Sequence, residues 1–529
     1  MTCGRAIGMA NDIRFRVFPN LYKDSVALMQ VGSSLRDRPG VIEASCIMAT
    51  PANLGQLAHA NLTIDADVRP SDLLIVVRGE ANASAEALDA AEALLSAPPP
   101  SATKDASGFS MPTTSIAAAV EQHAEADMAL VSVPGDYAAG EALKALSLGL
   151  HVMLFSDNVE IEHEQAIKRY AAERDLLVMG PDCGTAIING VPLGFANVVR
   201  RGAIGLVAAS GTGLQEVTCR IHNLGGGVSQ AIGTGGRDLR DAVGGLTMMA
   251  GLRALAGDDD TRVIVLISKP PSAAIAARIL ELALACGKPT VVHFLGAAAG
   301  TIRGDRLHAA RSLADAGNLA VSLSSSGSVA AAKRVSTPRD VALDGLAPRQ
   351  RAVRGLFTGG TFCYEAQLAF VGRGLSCRSN APVDGAGPLD ARSGDHVFID
   401  MGDDEYTRGR PHPMIDPTLR NAAIREAAED ATVAVLLFDV VLGYGAHANP
   451  AEAVADALRA AQRIAATHGR RLIGIGHVCG TQDDPQNREK QIATLVSAGA
   501  IVADSNIEAA SMAADIASRL AITKAVEPR

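Results

Sequence analysis

The feature that most constrains this chain is a repeated one. Short apolar runs alternate with Ala-rich helical stretches over most of its length. The runs are DLLIVV (Asp72–Val77), MALVSV (Met128–Val133), HVMLF (His151–Phe155), LLVM (Leu176–Met179) and IGLVA (Ile204–Ala208). They continue with VIVLI (Val263–Ile267), TVVHF (Thr290–Phe294), VFI (Val397–Ile399), VAVLLF (Val433–Phe438) and LIGI (Leu472–Ile475). Strands apolar on both faces, separated by helices, build parallel sheets from right-handed crossover units. The expected fold class is therefore α/β.

A length of 529 residues leaves room for three to four domains. Two stretches break the alternation: 96–115, which reads as a solvated loop, and 334–350, which reads as a linker. They suggest domains at 1–198, 200–333 and 350–525, and no repeat of solenoid period is visible. A net charge of −9 argues against a nucleic-acid binder, which usually carries a basic stripe. The N-terminus has no continuous apolar core, and no 18 apolar residues run uninterrupted, so a cytoplasmic protein is expected. The eight cysteines (3, 46, 183, 219, 286, 363, 377 and 479) show no CxxC spacing, which disfavours a zinc site or a disulfide framework. No metal is expected.

The chemistry is expected at Gly-rich strand ends. In IGLVAASGTGLQEV (204–217) a strand runs into Ser210, Gly211, Thr212 and Gly213, and a helix follows. Glycines let a backbone approach a ligand closely, and a helix start aims unpaired N–H groups at it. A plain N-cap by Ser210 or Thr212 is the alternative. The pattern recurs in Gly355–Ala366, where Gly359, Gly360 and Thr361 open a second helix. Two such helix starts from separate domains could converge on one anion, each supplying roughly half a positive charge. Asp182 and Thr185 in GPDCGT, and Gly235, Gly236 and Arg237 in GTGGRD, end two further strands, where ligands of open parallel sheets bind. Plain turns are the alternative.

The densest polar run is Asp400–Asp416 (DMGDDEYTRGRPHPMID). Arg408 and Arg410 could grip a carboxylate or phosphate bidentately, and the acids could hold Mg²⁺; surface ion pairing is the alternative reading. His412 and His477 are candidate acid/base groups, because imidazole titrates near neutrality.

With these residues in view the chain resembles the FdrA family, relatives of the succinyl-CoA synthetase α subunit and of the β subunit's carboxy-terminal domain. The resemblance is carried by TPAN (50–53), FSDNV (155–159), MGPDCGT (179–185), ASGTG (209–213), GGRDL (235–239), SKPP (268–271), GDD (402–404) and GRPHPMIDP (409–417). It implies a CoA-binding Rossmann-type domain over 1–198 and two flavodoxin-like ligase domains over 200–333 and 350–525. In the synthetases two helices point their N-termini at a phosphohistidine, and Ser210–Gly213 and Gly359–Thr361 sit at the matching places. The phosphohistidine pattern is replaced here by Gly304-Asp305-Arg306-Leu307-His308-Ala309-Ala310, with the histidine one position early. The first 120 residues lack a Gly-rich CoA turn, and no stretch of ~200 residues remains for an ATP-grasp domain.

The resemblance therefore implies a subunit of oxamate carbamoyltransferase of allantoin catabolism, with phosphate as co-substrate and other subunits or a second copy as partners. Phosphate on the two helix starts would attack the ureido carbonyl of oxalurate, and Arg237, Arg408 or Arg410 would hold the substrate carboxylate. Two alternatives stand beside it. One is an NDP-forming acyl-CoA ligase whose ATP-grasp part is a separate chain. The other is a scaffold subunit that binds an anion without catalysis.

Overall fold

The computed structural model describes residues 2–6, 12–21, 23, 25–36, 38–50, 53–55, 57, 62–96, 113, 115–297, 300–325, 341–389, 395–407 and 411–526. The chain forms two compact units, one of residues 1–119 with 404–416 and the other of 120–403 with 417–529.

The first unit is built on an antiparallel sheet. Its elements are β1 (Thr2–Ala6), β2 (Asp12–Phe18), α1 (Ser25–Arg36), β3 (Val41–Met48), β4 (Leu73–Gly79) and α2 (Ala81–Ser96). The strand order is β1-β2-β4-β3, and every neighbouring pair is antiparallel. Leu73, Ile75 and Val77 face α1 and α2, packing on Leu28, Leu35, Leu88 and Ala91. Leu74 and Val76 face the other way, onto Phe15, Val17, Leu57 and Leu62. The run DLLIVV was expected in a parallel sheet. It is apolar throughout because both faces of this central strand are covered, a condition that an antiparallel sheet meets as well as a parallel one.

The expected single Rossmann-type domain over 1–198 is thus divided. In the second unit β5 (Met128–Val131), α3 (Gly135–Ser147), β6 (His151–Leu154), α4 (Ile161–Ala172) and β7 (Val178–Met179) form a parallel three-stranded sheet with its crossover helices. The hairpin β8 (Thr185–Ile188) and β9 (Val191–Gly194) then leaves that sheet and joins the next one, where Ile187 pairs with Ala231.

That next sheet contains β10 (Arg201–Ala208), α5 (Gly211–Asn223), β11 (Val228–Gly233), α6 (Leu246–Gly257) and β12 (Val263–Ser268). It continues with α7 (Ala273–Ala285), β13 (Thr290–Phe294), β14 (Leu307–Ala309) and α8 (Leu313–Ser324). The strand order is β14-β13-β12-β10-β11-β8-β9, and β10 to β14 are parallel. The third sheet begins with β15 (Ala352–Phe357), α9 (Gly360–Val371), β16 (Cys377–Ser379), β17 (Gly387–Pro388) and β18 (His396–Asp400). After α10 (Thr418–Ala427) come β19 (Val433–Val441), α11 (Pro450–Thr467), β20 (Ile473–Cys479), α12 (Arg488–Ser497), β21 (Ala500–Ala503) and α13 (Asn506–Val526). Its order, β17-β16-β18-β15-β19-β20-β21, is parallel throughout.

Both large sheets share one plan. The first parallel strand of each, β10 or β15, is flanked on both sides by parallel strands that follow it in the chain: β11 and β12, or β18 and β19. This is the flavodoxin-like order, and it makes the carboxyl end of that strand a topological switch point. The Gly-rich turns before α5 and α9 sit at those two points. The expected linker 334–350 lies outside the described residues up to 340. From 341 onward it is packed, with Val341 buried and Gln350 Nε2 bonded to the carbonyls of Val433 and Arg471 at 2.7 Å each.

Candidate functional site

The two helix starts meet. Ser210, the N-cap of α5, accepts a hydrogen bond from Gly213 N at 2.9 Å and shares a second, through its Oγ, with Thr361 Oγ1 in the first turn of α9. The arrangement is reciprocal, because a Cβ placed on Gly359, the N-cap of α9, would lie 3.0–3.1 Å from the Thr212 side chain. Two rows of unpaired helical N–H groups therefore end at one place.

Other predicted residues gather at the α5 side. Thr185 donates its hydroxyl to the Phe195 carbonyl at 3.0 Å, and its Oγ1 is the only atom that a Cβ on Gly211 would approach within 4 Å, at 3.5 Å. Gly211 itself is exposed. Gly235 (φ +81°) lies so close to the Pro181 carbonyl that no side chain fits between the two loops, whereas Gly236 is open. Asp182 sits in the facing loop with its side chain exposed, its N–H bonded to the Ser156 carbonyl at 2.9 Å.

Arg237 does not serve as expected. Its Nη2 donates to the Val159 carbonyl at 2.6 Å and pairs with Glu164 at 3.0 Å. Glu164 also takes Lys168 Nζ, which is buried and reaches Asp238 at 2.8 Å. Asp238 in turn accepts from Thr247 N and Met248 N at the start of α6. The guanidinium is thus part of a structural ion network, because an unpaired Glu164 buried there would be costly.

His477 is also placed differently from expectation. It is 2 % exposed, its Nε2 lies 2.8 Å from Glu216 Oε2 on α5, and its ring meets Phe362 edge-on at 6.0 Å. Burial raises the Glu216 carboxyl, yet His477, the Arg488 guanidinium and Cys479 together outweigh it and the net shift is downward. This buried His477–Glu216 hydrogen bond joins the second and third sheets, and the imidazole is enclosed rather than open to a substrate. Arg408 and Arg410 lie outside the described residues. His412 belongs to the first unit, where its carbonyl accepts from Ile415 N (2.8 Å) and Asp416 N (3.0 Å) and Asp416 pairs with Arg36.

Three carboxyls lie at α9: Asp439 and Glu365, to which sequence reasoning gave no role, and Asp400, which it counted only among acids that could hold Mg²⁺. Asp439, two residues before the end of β19, accepts from Thr358 N (2.8 Å), Thr358 Oγ1 (2.9 Å) and Gly359 N (2.8 Å), while buried Arg420 holds its carbonyl oxygen at 2.7 Å. Asp400, closing β18, stands against Gly360. Burial pushes its carboxyl up to about 6, although the Lys269 ammonium and the Gly402 N–H pull the other way. Glu365, one turn into α9, accepts from Leu313 N (3.0 Å) and Asn506 Nδ2 (2.9 Å); burial pushes it up to about 7. For Asp400 and Asp439 the signal available in the sequence was an acid at or near the end of an otherwise apolar strand, which is seldom left buried without a donor.

His308 lies on edge strand β14 opposite Val291, which places it level with Val265 and Leu206 across the sheet. It is four residues short of Ser210 and three strands away, about 14 Å at the usual strand spacing. The histidine therefore does not stand at the helix junction.

A CoA-ligase family matches residues 356–516, and a family described as AllF, heavy metal-associated domain, matches residues 9–110. The Escherichia coli K12 protein YahF, described as uncharacterised, is 42% identical over 502 residues, 93% of this chain and 96% of that one. The α subunit of an ADP-forming succinate–CoA ligase from Staphylococcus aureus is 27% identical over 150 residues, 27% of this chain and about half (48%) of that subunit. Among solved structures, a dinucleotide-forming acetyl-coenzyme A synthetase from Ca. Korarchaeum cryptofilum, in complex with phosphate and ADP, aligns over 76% of this chain and 85% of that one, at 16% identity and a TM-score of 0.31.

A heavy-metal-associated domain implies a metal, and the residues here do not fit one. Soft metal ions need grouped thiolates. The two cysteines of the matching unit, Cys3 and Cys46, stand on β1 and β3, the opposite edges of its sheet. Cys46 is buried, and burial pushes its thiol up to about 12. Among the described residues no group of three or more His, Cys, Asp or Glu is placed to hold a metal ion. No helix among them is long and apolar enough to cross a membrane.

Proposed function

The chain belongs to the FdrA family of proteins built like succinyl-CoA synthetases, and we propose that it is the phosphate-handling subunit of an oxamate carbamoyltransferase. The observation that carries this reading is the junction of α5 and α9 at Ser210 and Thr361. The N–H groups of Gly211, Thr212, Gly360 and Thr361 belong to first turns, and helix starts are ready-made sites for phosphate.

In the proposed reaction a phosphate oxygen attacks the ureido carbonyl of oxalurate. A tetrahedral oxyanion forms, and N–H donors already aimed at the site stabilise it without reorganising. The C–N bond then breaks, the departing nitrogen takes the proton that the hydrogen phosphate brought, and oxamate and carbamoyl phosphate result. Phosphate supplies the nucleophile, so positioning and charge stabilisation are all that the protein must contribute. The buried His477–Glu216 pair and the distance of His308 from the junction favour this over a phosphohistidine route. Partner subunits of the complex would supply the rest of the oxalurate site.

The test is release of carbamoyl phosphate from oxalurate, measured with and without phosphate, for this chain alone and then with the proteins that co-purify with it. Phosphate-dependent cleavage is the expected result. Ligation of an acid to CoA by the same preparation, with ATP and without oxalurate turnover, would overturn it in favour of the acyl-CoA ligase relatives.

A further inference from the structure

Lys269 stands near the helix junction with no ion-pair partner among the described residues. Lys269 follows Ser268, the last residue of β12, and β12 is the strand beside β10. Ile267 O accepts from Ala209 N at 2.9 Å, so the backbone two residues before Lys269 is bonded to the residue before Ser210. The turn is fixed from the other side as well. Pro270 and Pro271 follow, which holds Lys269 in extended geometry, and a Cβ on Gly296 would meet both Pro270 and Leu368 of α9.

The Lys269 side chain is exposed, and its ammonium stands 5.4 Å from the ring centroid of Tyr364 in α9. It forms no ion pair among the described residues. The carboxyl that feels its charge is Asp400, which presses on Gly360 at the start of the same helix. An exposed lysine with nothing to do normally extends into water. This one is led by two prolines to the mouth of two converging helix starts and rests on an aromatic face, an attraction easily exchanged for a stronger one. A compact ammonium on a flexible stem is well suited to a phosphoryl group.

We propose that Lys269 is a binding residue for the phosphoryl group at the α5–α9 junction, moving from the Tyr364 ring onto a phosphate oxygen when the anion enters. The inference rests on the reading of that junction as a phosphate site. Lys269 adds what the helix starts lack, a full positive charge that a dianion can draw in. It also shields the anion from Asp400. In the proposed transfer the same ammonium neutralises the phosphoryl oxygens of the carbamoyl phosphate product.

Calorimetric titration of the full chain with inorganic phosphate tests this on wild type, Lys269→Gln and Lys269→Arg. The side chain is exposed, so the variants should melt with wild type, and the melting curve is recorded alongside. The expected result is at least a tenfold loss of affinity in Lys269→Gln with a weaker dependence on salt, and retention of most affinity in Lys269→Arg. If wild type binds phosphate and Lys269→Gln binds it equally well, the assignment of Lys269 falls while the junction stands. If wild type binds no phosphate, both fall together.

Discussion

The starts of α5 and α9 are two versions of one device, and their neighbours differ. Ala208 of β10 and Phe357 of β15 each lie two residues before the N-cap that follows. Ala208 is flanked across the sheet by Gly233 and Ile267. By the same register Phe357 is flanked by Asp400 and, one step beyond the Leu356–Phe438 pair, by Asp439. The strand residues beside the α5 start are therefore uncharged, and the hydroxyl residues Ser210, Thr212 and Thr185 lie around an exposed Gly211. The α9 start is framed by two carboxyls. An anion at the proposed site would meet an open positive helix end on one side and a partly neutralised one on the other. On the proposed reading, similar sequence motifs divide into a ligand end, α5, and an end that the protein's own acids help to build, α9.

The largest expected effect tests the building role of α9. Asp439→Ala removes the acceptor for Thr358 N and Gly359 N and leaves buried Arg420 without its counter-charge. Breaking a buried pair by taking one partner costs about 3–5 kcal/mol. Urea denaturation should show a loss of that size, and a loss below about 1 kcal/mol would mean that the α9 start does not depend on its acids.

The next comparison sets the two first-turn glycines against each other. Gly360→Ala drives a methyl into the Asp400 carboxylate, and overpacking of this kind costs about 1–3 kcal/mol. Gly211→Ala meets only Thr185 Oγ1 at ordinary contact distance and should stay within about 1 kcal/mol of wild type. Gly211→Val, still at an exposed position, should fold and yet lose phosphate affinity about tenfold, equivalent to ~1.4 kcal/mol, because its branches cover the N–H groups. Equal melting losses in the two Ala variants would erase the distinction drawn here.

The asymmetry also marks what the sequence could tell. Strand runs such as VIVLI and VAVLLF gave the two large sheets, because a strand buried on both faces is apolar almost throughout. The same rule misled at DLLIVV, whose two covered faces belong to an antiparallel sheet. The better guide was beside it: Ile13, Phe15 and Val17 alternate with Arg14 and Arg16, the period of a half-buried antiparallel strand. The Gly-rich turns of the site were legible because close backbone approach leaves few residue choices. Asp400 and Asp439 were not, since their roles depend on which strand lies beside β15, and strand order is not written in local pattern. Arg237 read as a ligand clamp because a guanidinium in a Gly-rich loop looks the same whether it meets a substrate or Glu164.

The smallest expected effect sharpens the electrostatic side of the comparison. If Asp400 opposes an incoming anion, its removal should help binding. Asp400→Asn keeps an oxygen for the Gly402 N–H, so the loop geometry is preserved. Sulfate is the suitable probe, because its charge does not change between pH 5 and 8. The Asp400 carboxyl titrates at about 6, raised by burial and by Asp403 and Asp439, and lowered by Lys269 and the Gly402 N–H. Above that pH it is charged and repels sulfate; below it the proton removes the repulsion. Wild-type affinity should therefore rise as pH falls from 8 through 6. The Asn variant should bind roughly threefold to tenfold more tightly at pH 8, the range expected for one partly screened charge at close quarters. Glu365 titrates in the same window at about 7, but it is common to both proteins, so the difference between the two curves isolates Asp400. Curves that run parallel from pH 8 to 5 would mean that Asp400 does not face the anion, and that the α9 start is as open to a ligand as the α5 start.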